Sequence, residues 1–240
     1  LARPETVLEV RGLGAGYGRK QVLFDIDLEL ARGEIVSVLG HNGAGKTTLL
    51  KAVYGLLPAM SGEVVCCGAA ADGARRGRGR MAGAAFMPSE RFVFGDLTVA
   101  ENLEVSLRSV PRSRDVSARL RFVHDLLPLL RERAGQKAGS LSGGQQRMVS
   151  LGMALVGEPQ LLLLDEPSLG LAPVLVREIF AKIRSVVDGG SMATLLVEQN
   201  VPAALQVCDR VVVLRSGRLI AAETSAALHA RGPQAWWDLF

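Results

Sequence analysis

Apolar runs of four to six residues, each closed by a glycine, a charge or a turn, alternate along this chain with stretches of helical spacing. Val7 to Val10 and Asp25 to Leu30 (Asp-Ile-Asp-Leu-Glu-Leu) are short apolar or alternating runs. They predict antiparallel strands on either side of a turn-forming Gly12 to Gly18 segment, and hence a small β region at the start. Glu34 to Leu39 is nearly continuous in apolar residues and ends at Gly40; Lys46 to Tyr54 then has helical spacing, which predicts strand, glycine loop, helix. From about Thr98 to Arg133 the pattern is helical and arginine-rich, broken at Pro111 and Pro128. Beyond it the spacing predicts a helix over Gly143 to Val156, a buried strand at Leu161 to Leu164 and a helix over Val174 to Val187. A strand at Thr194 to Val197 follows, then strands near Val211 to Leu214 and Arg218 to Ala221. Strands alternating with helices imply an α/β fold with a mostly parallel sheet covered on both faces. No internal repeat is visible.

Composition adds little to this picture but excludes several classes. The 240 residues are 48% hydrophobic and 22% charged, which is globular usage rather than collagen-like, coiled-coil or disordered. The mean hydropathy of +0.24 is high. No window offers the roughly 18 uninterrupted apolar residues of a membrane span, so the excess is expected in a core or against a partner. A net charge of +4 is too mild to point to nucleic acid. The arginine bias assigns no function, because genomic base composition would produce it equally. The Asp72 to Ala84 stretch, with Arg75, Arg76, Arg78 and Arg80 among glycines, lacks the aromatics that stack bases and is read as an exposed connector. Cys66, Cys67 and Cys208 have neither disulfide nor zinc spacing and are expected as inert core residues in a reducing compartment. His41, His124 and His229 are too scattered for a metal. The first residues, Leu-Ala-Arg-Pro-Glu, show no export signal.

The chemistry is concentrated in three segments. Gly40-His-Asn42-Gly43-Ala44-Gly45-Lys46-Thr47-Thr48 fits G-x-x-x-x-G-K-[ST] between a strand and a helix. Its glycines allow backbone N–H groups to cradle phosphates at a helix N-terminus, Lys46 reaches the β and γ phosphates, and the Thr47 hydroxyl suits magnesium. Leu161-Leu-Leu-Leu-Asp165-Glu166 delivers two carboxylates at the end of a buried strand, Asp165 to hold magnesium through water and Glu166 to act as general base on the attacking water. Leu141-Ser142-Gly143-Gly144-Gln145 opens a helix. Ser142 and Gln145 form a capping box, which by itself makes only a well-capped helix, but capping does not explain two glycines in the first turn.

With these segments the chain resembles the ATP-binding cassette (ABC) family, whose signature is LSGGQ placed just before the Asp-Glu strand; the resemblance runs from about Val7 to Ala222. It implies one P-loop NTPase cassette over residues 1–240, with an N-terminal antiparallel β region, a central sheet flanked by helices, and a helical subdomain inserted at about 90–155. ATP and Mg2+ are the implied cofactors. Cassettes of this family pair head to tail, so Ser142, Gly143, Gly144 and Gln145 would act in trans on a partner's nucleotide. Tyr17 stands where an aromatic residue stacks on adenine. Ser168-Leu-Gly-Leu-Ala-Pro173 matches the loop along the dimer seam.

Two departures from the family pattern stand out. Gln199 occupies the place of the switch histidine and cannot accept a proton at neutral pH, and Ser89 followed by Glu90 replaces the expected loop glutamine. The Val-Glu-Gln-Asn ending, the Pro-x-x-Arg loop before Leu97 to Leu103 and the Ser-Leu-Gly-Leu-Ala-Pro seam resemble the cassettes of branched-chain and other hydrophobic amino-acid importers. That branch implies a peripheral subunit on the cytoplasmic face of the inner membrane. Its partners would be a second cassette (hetero- or homodimer), integral membrane permeases and, indirectly, a periplasmic solute-binding protein, with no nucleic acid. Phe92, Val93 and Phe94 either seat a permease helix or pack internally. Other readings remain open: an importer of another small solute such as urea, a soluble cassette acting on ribosomes or DNA, and a non-hydrolysing nucleotide-gated regulator.

Overall fold

The computed structural model describes residues 5–70, 81–90, 93–108 and 115–232. Arg75, Arg76, Arg78, Arg80, Phe92, Pro111 and the first four residues lie outside them. A four-stranded antiparallel sheet contains β1 (Thr6–Tyr17), β2 (Lys20–Ala31), β4 (Ala59–Cys66) and β5 (Ala69–Ala70) in the order β2-β1-β4-β5. A six-stranded sheet has the order β10-β9-β3-β8-β7-β6, from β3 (Ile35–Leu39), β6 (Ala84–Met87), β7 (Leu161–Asp165), β8 (Ala193–Glu198), β9 (Arg210–Arg215) and β10 (Arg218–Thr224). Its strands run parallel except β10, which closes one edge against β9 in the antiparallel sense.

The apolar runs lack alternation because the six-stranded sheet lies between two cores. Leu162 and Leu164 of β7 face one core and Leu161 and Leu163 the other, all four fully buried. At about 1.5–3 kcal/mol for each buried leucine, exposing either face would be prohibitive. One core is filled by α1 (Lys46–Tyr54) and the antiparallel sheet. The other is filled by α6 (Pro173–Asp188) together with α2 (Val99–Leu107), α3 (Val116–Leu126), α4 (Pro128–Glu132) and α5 (Gly143–Leu155). Pro128 opens α4, where its missing N–H costs nothing.

The Gly12 to Gly18 segment corrects a sequence expectation: β1 runs through it to Tyr17, with irregular register, and only Gly18 and Arg19 form the turn. The glycines serve close approach. A Cβ on Gly16 would lie 2.1 Å from the Lys20 carbonyl oxygen, and one on Gly14 2.5 Å from Ser61 Oγ. Strands β4 and β6 and the short helices α7 (Val201–Leu205) and α8 (Ser225–Ala230) were not predicted. Strand β4 opens Ala-Met-Ser-Gly-Glu and β6 reads Ala-Ala-Phe-Met; their pairing comes from neighbours rather than from their own weak propensity.

Candidate active site

The loop from Gly40 to Gly45 leaves the C-terminal end of β3 and turns into α1. A Cβ on Gly40 would sit 2.3 Å from the Leu214 carbonyl oxygen, and Gly45, at φ 108°, packs under Leu23. Gly43 is also left-handed at φ 81°, a conformation that glycine adopts without strain. Helix α1 begins at Lys46 with no side-chain cap and no acid in its first turn. Its first N–H groups therefore remain available to an anion, with the helix dipole behind them.

Lys46 is buried and folds back over this loop, donating to the carbonyls of Gly40 (2.8 Å) and His41 (3.1 Å). Its Nζ lies 3.7 Å from Glu166 Oε1. Burial pushes the ammonium down, while the charges of Glu166 and Asp165 draw it back up. The Thr47 hydroxyl donates to Asp165 Oδ1 at 3.1 Å. Asp165 is fully buried and its Oδ2 has no close hydrogen-bond partner; burial pushes its carboxyl up, while the Thr47 hydroxyl and the neighbouring Ser89 draw it back down. Glu166 has φ 48°, unusual for a residue with a side chain, and its N–H is held by the Val197 carbonyl at 2.9 Å.

Gln199, just beyond β8, reaches across the site. Its amide donates to Asn42 Oδ1 and to Glu166 Oε1, both at 2.5 Å, and so ties the glycine loop to the carboxylate strand. Lys46, Thr47, Asp165, Glu166, Asn42 and Gln199 thus meet at one place. Tyr17, 47% exposed, ends the hairpin whose Val22 and Leu23 pack on Gly45, which puts it at the same end of the molecule as the loop.

Ser142, Gly143, Gly144 and Gln145 form a separate group. Ser142 Oγ accepts from the Gln145 N–H (3.3 Å) and Gln145 Oε1 accepts from the Ser142 N–H (3.0 Å), so the two residues cap each other. Gly144 also has a packing role: a Cβ there would meet Leu175 Cδ1 at 2.6 Å. Helix α5 packs on α2, α4 and β6. Its Arg147 donates to the carbonyls of Pro88 (3.1 Å) and Ser89 (2.5 Å).

Of the apolar candidates, Val93 packs against the core and Phe94 is exposed, its backbone held at both N–H and carbonyl by the buried Asn102. Cys66 and Cys208 are buried. Cys67 departs from the core expectation: it is only half-buried, with its sulfur 3.4 Å from that of Cys66. Sequence reasoning did not single out Glu198, a buried carboxylate at the end of β8 that accepts from Ser168. Its sequence signal is an acid closing an otherwise apolar strand.

The oxygen set suits a hard cation. Thr47 Oγ1 and Asp165 Oδ1 are adjacent and Asp165 Oδ2 is buried without a close partner, matching Mg2+, which takes one or two protein oxygens and completes its shell with water and phosphate. Among the described residues no group of three or more His, Cys, Asp or Glu could hold a metal. Nor is any helix among them long and apolar enough to cross a membrane.

Residues 23–169 match a family model described as ABC transporter. The chain is 42% identical to the high-affinity branched-chain amino acid transport ATP-binding protein BraG of Pseudomonas aeruginosa, over 88% of this chain and 90% of that protein. It is 38% identical to the probable branched-chain amino acid transport ATP-binding protein LivF of Archaeoglobus fulgidus, over 86% and 87%. A lipopolysaccharide export system ATP-binding protein, LptB of Haemophilus influenzae, is 32% identical over 91% of both chains. A solved structure described as the ATP binding subunit of an ABC transporter superposes with a TM-score of 0.82 at 27% identity, over 97% of this chain and 99% of that one.

Proposed function

The chain belongs to the ABC transporter ATP-binding cassettes, a family that hydrolyses ATP, and we propose that it powers uptake of branched-chain or other hydrophobic amino acids. The observation that carries the site assignment is the convergence of Lys46 and Thr47, from the glycine loop and α1, on Asp165 and Glu166, from β7. The two names that specify branched-chain amino acid transport support the solute class.

In this reading the free N–H groups of the loop and of the first turn of α1 bind the phosphates, and Lys46 turns from the Gly40 and His41 carbonyls to the terminal phosphate. Thr47 and Asp165 would hold Mg2+, which supplies charge neutralisation at the phosphates when bound. Glu166 takes a proton from water as that water attacks the γ phosphorus. The bond to the β-phosphate oxygen breaks, leaving ADP and inorganic phosphate. Gln199 orients Glu166 and donates a hydrogen bond; a proton-accepting role falls to Glu166 alone. Tyr17 would stack on adenine. Ser142, Gly143, Gly144 and Gln145 would close over a partner cassette's nucleotide. The exposed Leu169 (56%) and Val174 (65%) on the seam side support such a partner, and the exposed Phe94 supports a permease contact made by a helical subdomain at about 90–155. Because Gln199 stands in for histidine, the two ATP sites of the assembly are expected to be unequal, with a different cassette as partner.

Two measurements test this. Magnesium-dependent phosphate release is expected from the chain and to rise per site when the companion cassette is added; equal turnover per site in both cases argues against unequal sites. Reconstituted with its permeases in vesicles, hydrolysis is expected to be stimulated by a leucine-loaded binding protein. Stimulation by a urea-loaded one instead would replace the solute assignment.

A further inference from the structure

Strand β8 is buried along its whole length and ends in a carboxylate, Glu198, that is 1% exposed. A carboxylate is a pure acceptor with about four lone-pair sites, and here two loops fill them. Oε1 accepts from the Ser168 N–H at 3.0 Å. Oε2 accepts from the Ser168 hydroxyl at 2.8 Å, the Gln199 N–H at 3.2 Å and the Asn200 N–H at 3.4 Å. Ser168 lies two residues after Glu166, on the loop that runs through Leu169 and Gly170 into α6. Gln199 and Asn200 begin the loop into α7. Burial pushes the carboxyl up, and the Ser168 donors draw it back down. A charge so deeply buried is tolerated only where donors satisfy it, and here the donors are the two segments flanking the candidate general base.

We infer that Glu198 is a positioning residue that couples these loops: it fixes the Gln199 backbone to Ser168, so that the Gln199 amide reaches Glu166 and Asn42 only while the seam loop is in place. The backbone of Glu166 is bonded to the same strand, through the Val197 carbonyl at 2.9 Å. Displacing the seam loop would therefore loosen the Gln199 grip on Glu166 and Asn42 together, while the Lys46 bonds to the Gly40 and His41 carbonyls stay in place. This rests on the assignment of Glu166 and Gln199 to hydrolysis, and it adds the route by which events at the seam reach them.

The test is a double-mutant cycle on Glu198→Gln and Ser168→Ala, with Ser168→Thr as the conservative control. An amide at position 198 opposes an NH2 to an N–H donor in either flip state, while Ser168→Ala removes one hydroxyl and Ser168→Thr keeps it. Amide hydrogen exchange of the full chain needs no turnover. It is expected to speed up in 168–172 and 199–205 together in Glu198→Gln, with α1 unchanged. In steady state kcat is expected to fall about 10-fold or more, with KM for Mg-ATP within about twofold. Ser168→Ala should lose less, Ser168→Thr should recover it, and the double variant should be no worse than Glu198→Gln. Loosening of one loop alone, wild-type kcat in Glu198→Gln, or losses that multiply in the double variant would overturn the coupling. Glu166→Gln serves as control: turnover there would sink the general-base assignment, whereas its loss beside a wild-type Glu198→Gln sinks only the coupling.

Discussion

The glycine loop and the start of α5 are both helix N-termini rich in glycine, yet they are built in opposite ways. Helix α1 starts without any side-chain cap, and what surrounds it comes from elsewhere in the chain: Asp165 meets Thr47, Glu166 approaches Lys46, and Gln199 reaches Asn42. Helix α5 starts with a closed capping box between Ser142 and Gln145, and Ser142 is exposed. One N-terminus is completed by its own chain. The other is finished as a helix end, with Ser142 at the surface and Gly143 to Gln145 partly exposed behind it. The difference shows that glycine content alone does not locate a catalytic centre; what separates the two is where the complementary charges sit.

The largest effect is expected from breaking the self-completed end. Glu166→Gln should lower kcat by a factor of about 10²–10⁴, the usual weight of general-base catalysis, while equilibrium ATP binding stays within about twofold. Normal hydrolysis in that variant would remove the chemical distinction between the two ends. Next is the outward-facing end: Ser142→Arg should leave nucleotide binding by the chain intact and cut turnover of the assembled cassettes by about 10²-fold or more, as for loss of one preorganised donor. If binding by the isolated chain fell instead, α5 would be acting in cis. Gln199→Ala, which unties Asn42 from Glu166, should cost about tenfold in kcat with little change in ATP affinity. A larger effect on affinity than on kcat would make Gln199 a binding residue.

The smallest effect concerns stability and has the opposite sign. Burial raises the Asp165 carboxyl, so the folded chain holds that proton more tightly than the unfolded chain does. Charging it as pH climbs through the folded value therefore costs stability. Asp165→Asn removes the buried charge and keeps an oxygen for the Thr47 hydroxyl. It should raise Tm by about 2–4 °C, the shift given by roughly 1 kcal/mol in a domain of this size, read by thermal unfolding of the nucleotide-free chain. A lowered Tm would mean that Asp165 contributes to folding, and the loop end would no longer be a region where function is kept at the expense of stability.

The sequence carried the self-completed end well and the rest unevenly. Helix α1 begins and ends where its spacing predicts, because Lys46 to Tyr54 is bounded by Gly45 and Gly55, both left-handed. The strands behind the two carboxylates and Gln199 were legible because fully buried strands are uninterrupted apolar runs. Gly14 and Gly16 misled, since glycines that make room for a neighbouring backbone look in sequence like glycines that turn the chain. Strand β6 was hidden because Ala-Ala-Phe-Met owes its place to the Leu161–Leu164 run beside it. The tie between Ser168 and Glu198 spans 30 positions, a proximity that local pattern does not encode.

Arg147 gives the outward-facing end a mechanical property. A 13-residue helix is a stiff rod about 20 Å long, and Arg147 clamps α5 near its tip to the Pro88 and Ser89 carbonyls, in the loop that leaves β6, the strand beside β7. A rod clamped so close to its tip cannot be pushed at Ser142 without pulling on that loop. Contact made by a neighbouring molecule would thus be registered as strain at the far side of the carboxylate strand, and the clamp would set the gearing between a displacement outside the chain and one beside the Thr47 and Asp165 oxygens.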